Sequence, residues 1–301
     1  MLLITTPTGN TGSHVLRAAL AAGESIRVLV RDASRLDPAA HGHCDVVQGD
    51  LRDPAVLARA MDGVEGVFFC VPQSAEPDDV GAYYRSFAEP FVAAATAADI
   101  RRVVYISGGD GAGSGGRGPG LALSRVEQAI NATGIAARHV RCGYFMENLY
   151  YQAQTVARAG VFSLPIAGNV PLPFVAARDI GVAAAHLLLD RSWAGQDAVA
   201  AYGPASVSCD AAARVATDVL GFPVRYHPIT GAAYKASLAA YVSEAMSQSL
   251  VEMFDAIAAG EDMAAPIARR VDCPTTLRMW IDTEFKRAVA QPRLSTAGEA
   301  S

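Results

Sequence analysis

Ile4-Thr5-Thr6-Pro7-Thr8-Gly9-Asn10-Thr11-Gly12 joins an apolar run, Leu2–Thr5, to an amphipathic stretch over 11–22 with apolar residues at Val15, Leu16, Ala19 and Leu20. The pattern predicts a strand, a glycine turn and a helix. Gly9 and Gly12 fit the second and third glycines of a GxxGxxG fingerprint. One lets backbone approach a pyrophosphate, and the other lets the helix pack on the strand. Thr6, followed by Pro7, takes the place of the first glycine. The helix that follows offers free N–H groups and a positive dipole end to phosphates. Thr6, Thr8, Gly9, Asn10, Thr11 and Gly12 are therefore candidate cofactor contacts. An ordinary strand-to-helix turn has a similar look, so the weight comes from what surrounds it.

Downstream, short apolar runs alternate with helical patterns. Strands are predicted at Ile26–Val30, Asp45–Gln48, 64–71, 102–107 and 136–141. Helices are predicted from Asp53-Pro54 and over 81–98 and 121–132. Strands separated by helices imply right-handed crossovers and a parallel sheet. The fold class is thus α/β, a doubly wound parallel sheet. In such sheets ligands lie at the carboxyl ends of the strands. An acid there, about 20 residues past the glycines, would bind a ribose 2′-OH. This chain has Arg31, nineteen residues past Gly12, and Arg35 four later. Guanidinium groups suit a 2′-phosphate, which favours NADPH over NADH. Asp32 reads as a tether for Arg31, and a solvated strand-end arginine is the alternative. Asp50 and Leu51 after the third strand border the adenine. Val71, Pro72 and Gln73 after the fourth line the groove.

Beyond 147 the alternation weakens. A helix is predicted over 147–159, another over 178–190, a strand over 197–202, and from Ser208 mainly helices around a short strand at 224–226, with a long one near 243–259. The second part is read as a smaller, mainly helical cap interleaved with the sheet: 1–146 and 174–203 bind cofactor, and 147–173 and 204–301 bind substrate. The stretch 108–120 holds eight glycines in thirteen residues. It reads as a mobile lid at the site rim, or as an inert insertion.

Composition closes off other classes. Hydrophobic residues are 51% of 301 and charged residues 18%, with a net charge of −5. That excludes a disordered chain and gives no overall attraction to nucleic acid or anionic membrane. No apolar run approaches the roughly 20 residues of a membrane span. Five scattered cysteines without a CxxC pair suggest neither zinc nor a disulfide framework. His41 and His43 share one turn, which is no metal site. The expectation is a cytoplasmic protein, monomer or homodimer, with a small-molecule partner. Of 25 basic residues only Lys235 and Lys286 are lysines.

The residues Gly9–Gly12, Val30-Arg31-Asp32, Gly49-Asp50, Tyr105-Ile106-Ser107 and, above all, Arg141 through Phe145-Met146-Glu147-Asn148-Leu149 recur in this order in one family. The chain resembles the NmrA-like branch of atypical short-chain dehydrogenase/reductases over roughly residues 2–290. Segments 174–180, 201–204 and 221–224 fit it as well. The resemblance implies a Rossmann domain with a C-terminal substrate cap. It also implies one of several activities: quinone or azo reduction, isoflavone-type reduction, ketoreduction of aromatic secondary metabolites, or redox sensing with no reaction.

Typical short-chain reductases protonate the substrate with the tyrosine of a YxxxK pair. Here no tyrosine has a lysine four residues on. The resemblance places Leu123 where relatives often carry lysine. Two readings stay open. In one, the protein delivers hydride by positioning alone, to a quinone or polycyclic aromatic ketone whose neighbouring phenol activates the carbonyl, as in aromatic polyketide antibiotic formation. In the other, it is a non-catalytic NADP(H) sensor. For the first, Ser107 and Tyr144 are candidate catalytic residues. Ser107, Gly108, Gly143, Tyr144 and Phe145 border the nicotinamide. Gln73, Tyr144, Phe145, Met146, Asn148, Tyr151, Phe174, Met246 and Phe254 are candidate contacts for a small aromatic substrate. Cap core is the alternative for each aromatic residue, and a backbone-bonded hydroxyl is the alternative for Ser107. Asn148 either holds a ligand or caps the helix after the sixth strand.

Overall fold

Seven parallel strands carry the fold: β1 Leu2–Thr5, β2 Ile26–Val30, β3 Asp45–Gln48, β4 Gly66–Phe69, β5 Arg102–Gly108, β6 Ala136–Cys142 and β7 Gln196–Ala201. The computed structural model describes residues 1–108, 118–260 and 269–291. The strand order is β3-β2-β1-β4-β5-β6-β7, every pair parallel. The order reverses between β1 and β4, and in open α/β sheets ligands bind beyond the carboxyl ends of the strands at such a point. The central strands β1 and β4 are wholly buried, whereas the edge strand β3 keeps Asp45, Val46 and Gln48 exposed.

Alternation along the strands sorts the core into two layers. Leu2, Ile4, Phe68 and Val104 pack under α1 (Gly12–Ala21) and α6 (Ala177–Leu189). Leu3, Val67, Phe69 and Tyr105 pack under α2 (Pro54–Met61), α3 (Val80–Ala97) and α4 (Pro119–Ala132). A third cluster joins Tyr144, Met146, Phe174, Phe254 and Trp280. It is covered by α5 (Ala153–Ala159), α7 (Cys209–Leu220), α8 (Gly231–Leu238) and α9 (Glu244–Ala258). Among the described residues no helix is long and apolar enough to cross a membrane.

Two expectations change in detail. The helix predicted over 147–159 is a 3-10 helix, Met146–Gln152, followed by α5. At three residues per turn, Met146 and Leu149 stack on one buried ridge. The segment after 269, expected to belong to the cap alone, also runs alongside β7: Ala200 N–H donates to the Arg269 carbonyl at 2.9 Å, and Val271 N–H to Ala200 at 2.9 Å. Asp179 fastens the same segment by accepting from Thr275 N–H and Oγ1 at 2.7 and 2.8 Å.

Candidate functional site

The glycine turn shows why its residues are spaced as they are. Thr6 has φ 52°, in the left-handed region that favours glycine and that β-branched residues avoid. Its carbonyl turns inward, accepting from Gly9 N–H at 3.1 Å. A Cβ on Gly12 would lie 2.1 Å from that carbonyl oxygen, so residue 12 must be glycine, while one on Gly9 would sit at 3.4 Å. Thr11 and Gly12 are buried in the junction; Thr8, Gly9 and Asn10 are exposed above it. No side chain caps α1 and no acid stands in its first turn. Asp53, Asp79, Ser208, Thr230 and Ser243 cap α2, α3, α7, α8 and α9, whereas α4 and α5 share with α1 the lack of a side-chain cap and of a first-turn acid. The dipole end of α1, unlike theirs, follows a glycine turn at the carboxyl end of a central strand, where an anion can approach it. The exposed backbone of Thr8, Gly9 and Asn10 above the α1 N-terminus suits a pyrophosphate, and glycine at 12 keeps the turn beneath it closed.

At the end of β2, Arg31 is exposed and enters no hydrogen bond or ion pair among the described residues. Asp32 does not tether it. Its carboxylate accepts from Ser34 N–H at 2.9 Å and from Ser34 Oγ at 2.7 Å, capping the 3-10 turn Ala33–Arg35 on which Arg35 stands. Asp50 is held by Arg52 through two bonds of 3.0 and 2.7 Å, which keep its carboxyl below the usual range. Arg52 lies over the Phe87 ring at 5.3 Å. Leu51 and Val71 are buried, and Gln73 is exposed. The Pro72 carbonyl accepts from the Tyr83 hydroxyl at 2.9 Å. Sequence reasoning missed Arg52 and Tyr83. Only the run Gly49-Asp50-Leu51-Arg52 hinted at the first.

Ser107 closes β5 in the same crevice. It is 3% exposed, and its hydroxyl has no hydrogen-bond partner among the described residues. The reading in which it bonds backbone is not what the structure contains. Beside it in register stands Arg141 of β6. Glu127 of α4 binds Arg141 through Nε–Oε1 at 3.0 Å and NH2–Oε2 at 2.6 Å. Glu127 lies one helical turn beyond Leu123, so a buried ion pair stands where a tyrosine–lysine pair is absent. Glu127 was legible only as a single acid on the apolar face formed by Ala122, Val126 and Ile130.

Gly143 carries the chain from β6 into the cap at close quarters, since a Cβ there would lie 2.1 Å from the Pro173 carbonyl oxygen. Tyr144 then meets Phe174 edge-on at 5.5 Å and Phe254 at 5.9 Å. Burial pushes the Tyr144 phenol well above its ordinary pKa, and the nearby Asn148 side chain opposes this. Near neutral pH that phenol is a proton carrier, never a base. Met146, Phe174 and Phe254 are fully buried in the cap, and Phe145 and Met246 are half-buried. Tyr151 stands 86% exposed, outside the packed cluster, because the 3-10 helix turns its ridge outward.

Glu147, in the most specific stretch of the resemblance, has a structural task. Its carboxylate accepts from Ala177 N–H at 3.0 and 3.1 Å and from Trp280 Nε1 at 3.2 Å. It caps α6 from thirty residues away. Of the expected glycine-rich lid, residues 109–117 lie outside the described residues. At its far end Gly118, φ 61°, abuts α9, where a Cβ would meet the Ser249 carbonyl at 2.3 Å. A cavity of about 580 Å³ lies elsewhere, between His14, Tyr150, Arg178 and Glu284, and takes in none of the candidate site residues. No cluster of three or more metal-binding side chains occurs among the described residues.

Comparison with known proteins agrees with this geometry. The chain is 31% identical over 230 residues to an NAD(P)H azoreductase of Xenophilus azovorans, covering 76% of this chain and 77% of that protein. It is 32% identical over 266 residues to a (4-alkanoyl-5-oxo-2,5-dihydrofuran-3-yl)methyl phosphate reductase of Streptomyces griseus, covering 83% and 86%. In fold it is similar to the NADPH complex of an Escherichia coli quinone oxidoreductase, QOR2, at TM-score 0.77 and 22% identity, covering 92% and 97%. It is also similar to triphenylmethane reductase of Citrobacter sp. with NADP(H), at TM-score 0.75 and 20% identity, covering 96% and 99%. A profile of the NmrA-like family matches residues 1–284, and with the curated relatives it shows that this chain belongs to the NmrA-like family.

Proposed function

We propose that this protein is an NADPH-dependent reductase that delivers hydride to a flat aromatic ketone or quinone without a tyrosine–lysine acid pair. The observation that carries the reading is the placement, at the carboxyl ends of β1 and β5 on either side of β4, of a glycine turn before an uncapped helix and of a buried serine hydroxyl with no partner among the described residues. The azoreductase and phosphate reductase relatives support reductive chemistry. Bound NADPH supplies the hydride. Thr6 to Gly12 and the first turn of α1 hold the pyrophosphate. Arg31, which makes no hydrogen bond or ion pair among the described residues, receives the 2′-phosphate. Ser107 donates its hydroxyl to the acceptor oxygen as negative charge develops there. The Glu127–Arg141 pair holds the end of β6 at fixed geometry beside Ser107. The proton that completes the two-electron reduction comes from water or from a phenol of the substrate itself. A substrate with a phenol next to the carbonyl is therefore favoured, and the narrower form of the proposal is a ketoreductase of aromatic polyketide formation.

The test follows loss of NADPH absorbance in a stopped-flow instrument against a panel of quinones and phenol-flanked aromatic ketones. Turnover with phenol-flanked acceptors ahead of unsubstituted ones is expected. Tight NADPH binding without turnover of any acceptor refutes the enzyme reading and turns the assignment to a sensor.

A further inference from the structure

The cavity of about 580 Å³ takes no part in the reaction proposed above. Its walls come from across the chain: His14 in the first turn of α1, Tyr150 of the 3-10 helix, Arg178 in the first turn of α6, and Glu284, Arg287 and Gln291 near the C-terminus. The last three belong to one helical stretch, in which α10 (Leu277–Trp280) and α11 (Lys286–Ala290) are joined by a π turn over Ile281–Phe285 that carries Glu284. Such π turns are frequent at functional sites. The polar groups of the lining are tied to one another, with one exception. Arg178 is fixed by Nε donating to Thr275 Oγ1 at 3.0 Å and Nη1 donating to Glu284 Oε1 at 3.3 Å. Tyr150 donates its hydroxyl to Glu284 Oε2 at 3.2 Å. Both oxygens of the acid that lines the cavity are therefore engaged from within the protein. Arg287, exposed at the rim, makes no hydrogen bond or ion pair among the described residues. With Arg178 balanced by Glu284, the guanidinium of Arg287 is the unmatched charge of the lining.

We propose that this cavity is a ligand site of its own, apart from the glycine turn and Ser107, and that it takes a small aromatic carboxylate. A single negative charge answers the one unmatched guanidinium, and the planar fork of Arg287 suits a carboxylate through two parallel hydrogen bonds. Tyr150 adds an aromatic ring to the lining, steadied against Trp280 at 5.1 Å and still 39% exposed, so that a flat ligand can pack on it. The volume lies within the roughly 300–1,000 Å³ usual for organic ligands, where a bare inorganic ion would leave most of the space unfilled. Binding here needs neither NADPH nor the reductase reaction.

The experiment titrates the full-length protein by calorimetry at neutral pH with 1-naphthoate, its uncharged amide 1-naphthamide and inorganic phosphate. Naphthoate should bind with a dissociation constant below about 1 mM, and the other two at least about tenfold more weakly. Arg287→Gln should weaken naphthoate about 10- to 100-fold, the loss of a charge-assisted contact. Glu284→Gln removes the competing acid and should strengthen it about twofold to fivefold, a gain that mere damage to the fold would not produce. NADPH affinity should stay unchanged in the Arg287 variant. His14 supplies a local reporter. Burial, with Arg17 of α1 and Arg178 of α6, holds its imidazole below the ordinary pKa, while Glu284 and Asp179 oppose them. A carboxylate seated in the cavity joins the opposing side, so the His14 titration followed by NMR should move to higher pH when naphthoate is bound. No binding of naphthoate, equal binding of acid and amide, or binding that Arg287→Gln leaves intact overturns the assignment. Phosphate bound as tightly as naphthoate overturns the aromatic ligand class.

Discussion

Replacing Gly12 by alanine tests the turn proposed to hold the cofactor. The added methyl carbon would lie 2.1 Å from the Thr6 carbonyl oxygen, 2.9 Å from its carbon and 3.4 Å from the Thr5 oxygen. Relieving the contact needs a shift of about 1 Å, given ordinary van der Waals separations. Thr6 cannot supply it cheaply, because its φ of 52° already sits in a disfavoured region. Helix α1 cannot lift freely either. It is packed so tightly on α6 that a Cβ at Gly181 would meet the His14 Cβ at 2.5 Å. The expected cost is about 2–3 kcal/mol of stability, as for other overpacked sites. Distortion of the pyrophosphate cradle should lower NADPH affinity at least about 30-fold, the loss of one or two charge-assisted hydrogen bonds. Gly9→Ala is the contrast. With its nearest neighbour at 3.4 Å it should lose less than about 1 kcal/mol of stability, yet still weaken NADPH through close backbone approach. Thermal unfolding and fluorescence titration with NADPH separate the two quantities. A Gly12→Ala protein with unaltered unfolding temperature and affinity would refute the steric reasoning.

Arg31→Ala should weaken NADPH by about 10- to 100-fold and NADH by less than about threefold in the same titration; equal losses remove the 2′-phosphate assignment. Thr6→Gly relieves about 1–2 kcal/mol of backbone strain against about 0.5–1 kcal/mol of unfolded-state entropy, so chemical denaturation should show a stability unchanged or raised by up to about 1.5 kcal/mol. Ser107→Ala should lower kcat/KM for carbonyl acceptors about fivefold to tenfold with the NADPH dissociation constant unchanged, by steady-state kinetics and titration. Arg191 bonds Glu24 and Glu65 at once, which holds both carboxyls below their ordinary value of 4.5. Their folded-state pKa values are depressed, so this stability is present above pH 4.5 and is lost as pH falls through the depressed values. These groups are solvent-screened, so Arg191→Ala should cost about 1 kcal/mol in urea unfolding at neutral pH, a difference that should vanish in strong acid.

Much of the scaffold was legible along the chain. Wholly apolar runs such as Leu2–Thr5 announce strands buried on both faces, and Asp53-Pro54 marks a helix start that the structure reproduces with Asp53 as the cap. The buried central strand proved shorter than the apolar run over 64–71, because apolar loop residues such as Val71 are buried without pairing. The candidate site was legible where its geometry is local, as in the turn that needs glycine at 12 and the exposed arginine after β2. It was illegible where two distant segments share a task. Even within one loop the reading erred, since Asp32 looked like a tether for Arg31 but is held by Ser34 two residues on. Glu147 drew notice as part of a motif, with nothing to say that it caps α6.

By itself the sequence determined the α/β class, the glycine turn, the arginine at the end of β2 and the absence of a tyrosine–lysine pair, because each depends on residue type and spacing within one or two elements. Only the tertiary structure decided that Glu127 grips Arg141 beside Ser107, that Tyr151 faces solvent while Tyr144 is buried, and that Tyr234 packs against Phe254. Those outcomes depend on strand register and on how the cap helices lie against one another. Neither leaves a period in the chain, since side chains far apart in sequence meet only after the backbone has closed around them.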